Sequence, residues 1–179
     1  MKRLFLLAGP EADGLVRQAD WLLPTVARLI FAGVLAGYFW ASSLTKLDGP
    51  LTPSLGGYAQ IFPRVFEAVG YDASQLGPWP WLVVLAGAWS ELILPLLLVI
   101  GLFTRLAAFG MLGFVLVQSL TDIIGHNAGA GAWFDRASDA LILDQRSLWL
   151  LLFLVLILKG GGPLSADRGL QVVFPRLAT

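Results

Sequence analysis

The sequence predicts an all-α fold: a polytopic membrane four-helix bundle with short interfacial helices in an outer loop and in the C-terminal tail. Composition is the first indication, since 57% of the 179 residues are hydrophobic and 13% are charged, against about 45 to 50% and about 25% in soluble domains. Mean hydropathy is +0.76. Several apolar runs also approach the roughly 20 residues that cross a bilayer. We therefore expect a single integral membrane domain over residues 1–179.

The first two predicted spans are long and carry prolines. We place the first at about residues 22–44, where Pro24 falls in the first helical turn and is tolerated there. The second lies at about residues 79–102, and its internal Pro95 predicts a kink. Neighbouring helices can satisfy the carbonyl that such a proline leaves free.

The third span is predicted at about residues 106–124, so close to the second that the two must form an antiparallel hairpin. The fourth is predicted at about residues 141–159. Its clean apolar run, residues 148–158, is too short to cross a membrane, so the helix must extend back past Arg146 and Asp144. Those two polar side chains are then expected at membrane depth.

Two long connections separate these spans, at about residues 45–78 and 125–140, and long loops in compact proteins commonly have a function or structure of their own. Apolar residues at helical spacing in the first connection predict a short interfacial helix beginning near Pro63. The alternative is a loop that only covers the bundle and binds nothing. In the tail, Ser165 is placed to cap a surface helix carrying Leu170, Val173 and Phe174.

Basic residues are distributed unevenly between the two sides of the predicted bundle. One side carries Lys2, Arg3, Arg17, Arg105, Lys159, Arg168 and Arg176, and the other carries Lys46, Arg64, Arg136 and Arg146. The positive-inside rule then places the N-terminal and C-terminal segments in the cytoplasm. We expect a multi-pass protein of a bacterial inner membrane, with both long connections in the periplasm.

Composition also excludes several kinds of chemistry. The absence of cysteine removes disulfides, thiolate zinc sites and iron–sulfur ligation. A single histidine, His126, cannot supply a two-histidine haem site, so we expect neither a metal nor a covalently bound cofactor. The formal net charge is zero, which provides no basic face for nucleic acid.

Two charges lie within predicted spans. Arg28 is about two turns into the first and Glu91 is midway along the second. An unpaired charge at that depth costs at least about 2.5 to 3.5 kcal/mol, so both should face the protein interior, and we predict an ion pair between them. One reading is a clamp that fixes helix register. The other is a catalytic pair, in which Glu91 binds a polar headgroup or relays a proton.

A second polar cluster is predicted where the spans meet the long connections. It contains Lys46, Asp122, His126, Asp144 and Arg146, which we expect to share one ligand-binding cavity. The spacing of four between Asp122 and His126 allows the carboxylate to orient the imidazole on a continuing helix. Solvated residues at a membrane boundary are the alternative reading. Metal binding is the weaker hypothesis, because the spacing of these residues matches no specific set of metal ligands.

An ordered series of short motifs resembles the DoxX family of bacterial four-helix membrane proteins over about residues 25–168. The series comprises Ala27-Arg28-Leu29, Gly33, Lys46-Leu47, Gly87, Glu91, Gly101-Leu102-Phe103-Thr104-Arg105 and Gly162-Pro163-Leu164-Ser165-Ala166-Asp167. Positions Arg28, Lys46, Glu91 and Arg105 match the polar pattern of the family. The resemblance implies a membrane subunit of an oxidoreductase, such as a thiosulfate:quinone oxidoreductase, or a companion of redox-stress and detoxification proteins.

Three functions follow as hypotheses. The first is a quinone-linked subunit in which Glu91 accepts a proton and a redox protein partner carries the electron-transfer cofactor, because this chain lacks cysteine and paired histidines. The second is a scaffold or accessory subunit of a larger complex, with no catalysis of its own. The third, a small-molecule transporter, would need a homo-oligomer to build a pathway and shows no inverted repeat.

Overall fold

Four long helical segments dominate the computed structural model, which describes residues 10–173. Each is long and apolar enough to cross a membrane. The four spans are Gln18–Thr45, Pro78–Ile100, Thr104–Gly125 and Leu141–Lys159. The prediction of an all-α polytopic bundle is confirmed, and the predicted limits differ from these by a few residues.

Three of the four spans contain a single wider π-helical turn. The first span comprises α1 (Pro10–Phe31), the turn Ala32–Ala36 and α2 (Gly37–Thr45). The others are α5 (Pro78–Ile100), α6 (Thr104–Leu120) continued by Thr121–Gly125, and α7 (Arg146–Lys159) preceded by Leu141–Gln145. Such turns are frequent at functional sites, and here two of the three lie where the third and fourth spans meet a long connection.

The second and third spans form the expected antiparallel hairpin. Gly101 ends α5 in the left-handed conformation (φ +72°), and its backbone N–H donates to the carbonyls of Leu97 and Leu98. Further along the pair, a Cβ added to Gly110 would lie 3.1 Å from the methyl groups of Leu94. The glycine therefore lets α5 and α6 approach closely, as small residues do between membrane helices.

Aromatic and small residues from all four spans form the core of the bundle. The rings of Phe31 and Phe153 meet edge-on with centroids 5.9 Å apart, and Phe39 packs against Phe31 at 6.4 Å. Ala107, Ala108, Met111, Val115, Leu98 and Leu156 complete the fully buried set. Because dispersion between close-packed side chains drives helix association in lipid, this core holds the bundle together.

The connection between the first two spans folds into a compact layer, residues 47–77, here called the cover. It comprises β1 (Leu47–Gly49), which pairs antiparallel with β2 (Thr52–Pro53), then α3 (Leu55–Ile61), α4 (Pro63–Ala68) and a 3₁₀ turn (Ala73–Gln75). The predicted single helix is thus two, because Pro63 has no backbone N–H to continue α3 and starts α4 instead. The hairpin was not predicted, since its strands are too short to show alternation.

The cover packs on the α5 side of the bundle. Tyr58 and Phe66 form a small core with Val84 of α5. A Cβ on Gly57 would lie 2.7 Å from Val84 and 2.8 Å from the Lys46 carbonyl oxygen, so only glycine allows α3 to approach this closely. We call the end of the bundle beneath the cover the loop end.

The opposite end, here called the turn end, carries the α5–α6 turn and α8 (Ala166–Val173). The backbone N–H of Arg168 donates to Ser165 Oγ at 3.2 Å, which confirms the predicted cap. Four residues used in the predictions above, Lys2, Arg3, Phe174 and Arg176, lie outside the described residues.

Candidate functional site

A cavity of about 670 Å³ opens between the spans at the loop end. Its apolar wall comes from α5, α6 and the cover, and includes Ile61, Val83, Leu94, Phe114 and Val117. Gly113 also lines it, and a Cβ added there would have no other group within 4 Å. The volume falls in the range of small-molecule sites, roughly 300 to 1,000 Å³.

A buried ion pair forms one polar side of this cavity. Lys46 Nζ lies 2.7 Å from Glu91 Oε2, and the two side chains are 7% and 1% exposed. Ser42 joins both partners, because its Oγ accepts from Lys46 Nζ at 2.6 Å and donates to Glu91 Oε1 at 3.2 Å. Ser42 precedes Lys46 by four residues, so helix geometry places both on one face. The three side chains form one continuous hydrogen-bonded chain.

A second ion pair forms the other polar side. Arg146 Nη2 lies 2.6 Å from Asp122 Oδ2, and Arg146 Nη1 donates to Ser119 Oγ at 3.0 Å. The Arg146 side chain is 2% exposed, and its guanidinium carbon lies 6.0 Å from the centre of the Trp149 ring. Its buried Nε has no hydrogen-bond partner among the described residues. The pair therefore brings one positive and one negative side chain to this side of the cavity.

Gln118 brings a further polar group to the same cavity. Its Nε2 donates to the Tyr38 hydroxyl at 3.1 Å, while its buried Oε1 has no partner within residues 10–173. An unsatisfied buried donor and an unsatisfied buried acceptor are both costly in a protein interior. Gln118 and Tyr38 thus add polar side chains to the lining of the cavity.

The cover closes the cavity at the loop end. His126 Nε2 lies 2.9 Å from the Gln60 carbonyl oxygen, and Arg64 Nη2 donates to Asn127 Oδ1 at 2.8 Å. Beneath these contacts, Ile61 Cδ1 lies only 3.2 Å from where a Cβ of Gly87 would be. The cover is thus attached to the ends of both α5 and the third span.

The predicted ion pair between Arg28 and Glu91 is wrong. Arg28 donates instead to four backbone carbonyls: Leu98 at 2.9 Å, Val99 at 2.6 Å, Gly161 at 2.9 Å and Leu164 at 2.8 Å. The α5 helix begins beyond the end of the first span, so Glu91 is level with Ser42, whereas Arg28 reaches the last turn of α5. Seven residues separate Leu98 from Glu91, about 10 Å along a helix.

Arg28 therefore lies outside the cavity and joins three segments at the turn end. It occupies the end of α5, where the last carbonyls lack helical partners and a positive charge is favourable. Of the two readings offered by the sequence, the contacts of Arg28 are those of a clamp.

The predicted cluster at the loop end forms with two corrections. Lys46, Asp122, His126 and Arg146 all line the cavity, but Asp144 does not. Asp144 Oδ2 instead accepts from the Ala140 backbone N–H at 3.0 Å, so it caps the start of the fourth span. Asp122 orients Arg146 rather than the His126 ring, because the helix ends at Gly125 and His126 turns toward the cover.

Arg105 lies at the turn end, in a separate groove of about 600 Å³. Sequence reasoning also missed Tyr38, Ser42, Gln60 and Gln118, all of which line the cavity. Two of them could have been found by spacing. Ser42 precedes Lys46 by four residues and Gln118 precedes Asp122 by four, which places each on the helix face of a charge already singled out.

Burial in the cover raises the pKa of Tyr58 above its ordinary value of 10.0. Burial thus favours the neutral phenol where Tyr58 packs against Phe66 and Val84. Within the described residues, no group of three histidine, aspartate or glutamate side chains is arranged to hold a metal ion.

Comparison with known proteins identifies the family. The model of the DoxX family matches residues 23–122, which is more than half of the chain. The chain belongs to the DoxX family. An uncharacterized protein of Haemophilus influenzae is similar to it, with 28% identity over 153 residues that cover 84% of this chain and 87% of that protein. No solved structure matches.

The matched part of this DoxX protein contains Lys46, Glu91 and Asp122, and it ends before Arg146. The cavity therefore combines three charged groups inside the matched region with one contributed by the fourth span. Chemically, this arrangement offers a carboxyl and an ammonium joined through a hydroxyl, a guanidinium paired with a second carboxyl, and an apolar wall between them.

Proposed function

We propose that this DoxX protein is a quinone-linked membrane subunit of an oxidoreductase or redox-stress system, and that the quinone head group binds in the cavity at the loop end. One observation carries the proposal: two ion pairs, the buried Lys46–Glu91 and the partly exposed Arg146–Asp122, line one apolar-walled cavity between membrane helices. Charges at that depth are costly unless they pair and serve a function. The pairs supply polar groups where a lipid-soluble ligand can reach them.

The residues present fit a quinone in size and in hydrogen bonding. Its flat ring needs an apolar wall, which Leu94, Phe114 and Val117 provide. Its carbonyl oxygens need donors, and the lining of the cavity includes the side chains of Lys46, Arg146 and Tyr38. When bound, a quinone supplies the capacity to take up two electrons and two protons at those oxygens.

The side chains around Glu91 perform the proton transfer in this proposal. A proton held on Lys46 Nζ passes to Glu91 Oε2 across 2.7 Å, and Ser42 Oγ connects the same two groups through its own hydrogen bonds. Glu91 lines the cavity and is 1% exposed, so it delivers the proton without admitting bulk water. General acid catalysis of this kind requires a positioned group within hydrogen-bond reach.

The electrons must come from elsewhere in the assembly. This chain has no cysteine, one histidine and two methionines, so we assign the electron-transfer cofactor to a partner protein. The cover has four charged residues, Asp48, Arg64, Glu67 and Asp72, and all are exposed on the face where such a partner could dock.

Quinone retention tests the proposal. The protein is purified in a mild detergent from its native membrane, and bound small molecules and co-purifying chains are identified by mass spectrometry. We expect the wild type to retain quinone and Glu91→Gln to lose it. The matched control is Glu67→Gln, which removes an exposed carboxylate of the cover and should retain quinone. Absence of quinone from both folded wild type and control, with a stoichiometric partner bound to all three, would contradict the proposal and identify a structural subunit.

We further propose that the protein lies in the bacterial cytoplasmic membrane with the loop end in the periplasm. The chain contains no cysteine, so single cysteines report on sidedness without interference. Ala137→Cys at the loop end should react with an impermeant maleimide in intact cells whose outer membrane has been permeabilised, and Gly169→Cys at the turn end should not. Labelling of Gly169→Cys alone would reverse the orientation.

A further inference from the structure

A second groove lies at the turn end, far from the cavity of the proposed function. Its volume is about 600 Å³, and it is formed by the start of α6, the glycine turn at residues 160–162 and the first half of α8. Gly160 and Gly162 adopt φ of +78° and +76°, conformations that favour glycine, so the turn holds a fixed shape. No role described so far uses this groove.

Three basic side chains line the groove. Lys159 pairs with Asp20. Arg105 and Arg168 are exposed, and among residues 18–173 no carboxylate lies within 4.0 Å of either guanidinium. Arg168 Nη1 donates to Gln171 Oε1 at 3.3 Å. Asp167, which also lines the groove, accepts from the backbone N–H groups of Phe103 and Thr104 at 2.7 and 2.9 Å. Its carboxylate is thus already bonded to the start of α6.

Apolar side chains lie beside these charges. Phe103 is 61% exposed, Leu106 is 70% exposed and Leu170 is 44% exposed, and all three line the groove. They occupy the first turn of a membrane span and a short helix that follows another, which is the level of lipid head groups and upper acyl chains. The groove therefore presents two guanidinium groups that pair with no carboxylate of residues 18–173, next to an apolar surface. This combination matches a phosphate carrying acyl chains and not a free anion in water.

We propose that this groove binds one anionic phospholipid, with its phosphate held by Arg105 and Arg168 and its acyl chains lying against Phe103, Leu106 and Leu170. Arginine suits this role because its planar guanidinium can donate two parallel hydrogen bonds to phosphate oxygens. Each arginine in a basic pocket beside a membrane helix strengthens the binding of an anionic lipid roughly fivefold.

Native mass spectrometry of the full chain in detergent micelles tests the site. Phosphatidylglycerol and phosphatidylcholine with the same acyl chains are titrated separately. We expect the Arg105→Gln/Arg168→Gln variant to bind phosphatidylglycerol roughly thirtyfold more weakly than the wild type. The matched control is Arg64→Gln/Arg136→Gln, which removes the same charge at the loop end and should bind as the wild type does.

A charge-preserving variant and competition by inorganic phosphate show whether a loss of binding is specific to the lipid site. Arg105→Lys/Arg168→Lys preserves charge but not the paired guanidinium hydrogen bonds, so its affinity should lie between those of the wild type and the glutamine variant. This result separates lost binding from lost folding. Unchanged phosphatidylglycerol binding by the glutamine variant would overturn the proposal, as would equal binding of phosphatidylcholine by the wild type. Displacement of the lipid by millimolar inorganic phosphate would also overturn it, because the site would then be one for free phosphate.

Discussion

Replacing Glu91 by glutamine removes the carboxylate that neutralises a buried ammonium group. At the observed 2.7 Å, two unit charges attract each other by about 6 kcal/mol at an effective dielectric constant of about 20. Breaking one partner of a buried pair costs about 3 to 5 kcal/mol. Lys46 keeps two hydrogen bonds, to Ser42 O and Oγ, so we expect a loss near the lower end, about 3 kcal/mol. For a chain of this size that lowers the midpoint of thermal unfolding by roughly 6 to 12 °C.

The matched double variant separates stability from chemistry. Lys46→Gln/Glu91→Gln removes both charges, and loss of a complete buried pair is often neutral. Its unfolding midpoint in detergent, followed by circular dichroism, should therefore return most of the way to that of the wild type. Quinone binding should remain lost, because the proton-carrying groups are absent. Equal midpoints for wild type and Glu91→Gln would refute this reasoning, and so would a double variant as unstable as the single one.

Three further predictions follow from the described contacts. Arg28→Met should lower the unfolding free energy by at least about 3 kcal/mol, since four carbonyls lose a charged donor. It should leave the quinone affinity of each folded molecule unchanged, and a selective loss of that affinity would contradict the assignment of Arg28 as a structural clamp. Arg146→Lys should preserve the attraction to Asp122 but lose the second guanidinium hydrogen bond, to Ser119 Oγ, so this side of the cavity is less well ordered. We expect a short-chain quinone to bind roughly fivefold to tenfold more weakly in a fluorescence titration; unaltered affinity would contradict a role for Arg146 in the quinone site. Burial raises the pKa of Tyr58, so the folded cover favours the neutral phenol. The stability that this gives the cover is complete below pH 10 and is lost as the pH rises from there through the raised pKa. Hydrogen exchange in α3 should accelerate over that range in the wild type, and an identical response in Tyr58→Phe would contradict this cause.

The spans could be predicted from sequence because their signal is strong and local. Apolar runs of membrane length, bounded by prolines and glycines, define each helix to within a few residues, except that α1 begins at Pro10. Four of the five polar residues predicted at the loop end do line one cavity. That success has a simple reason: ends of consecutive antiparallel spans must alternate between two sides.

The prediction of an Arg28–Glu91 ion pair failed because it depended on the relative depth of two helices in the bundle. The sequence of one helix does not determine that depth. Glu91 is midway along its own helix but level with the end of the first span, because α5 extends upward to meet the cover. Its partner is consequently Lys46, and Arg28 bonds backbone carbonyls instead. The hairpin of the cover was missed for another reason, as strands of two or three residues leave no pattern.

A cavity-filling substitution tests the central claim most directly, since it alters no charge. Gly113 lines the cavity, and an added Cβ there meets open space; Gly37, on the first span, also has open space but is exposed away from the cavity. Both lie in helices, so Gly113→Leu and Gly37→Leu change helix propensity alike. Titration of the purified proteins with a short-chain quinone should show binding by the wild type and Gly37→Leu and at least about tenfold weaker binding by Gly113→Leu. Equal affinities for all three folded proteins would contradict a quinone site in this cavity.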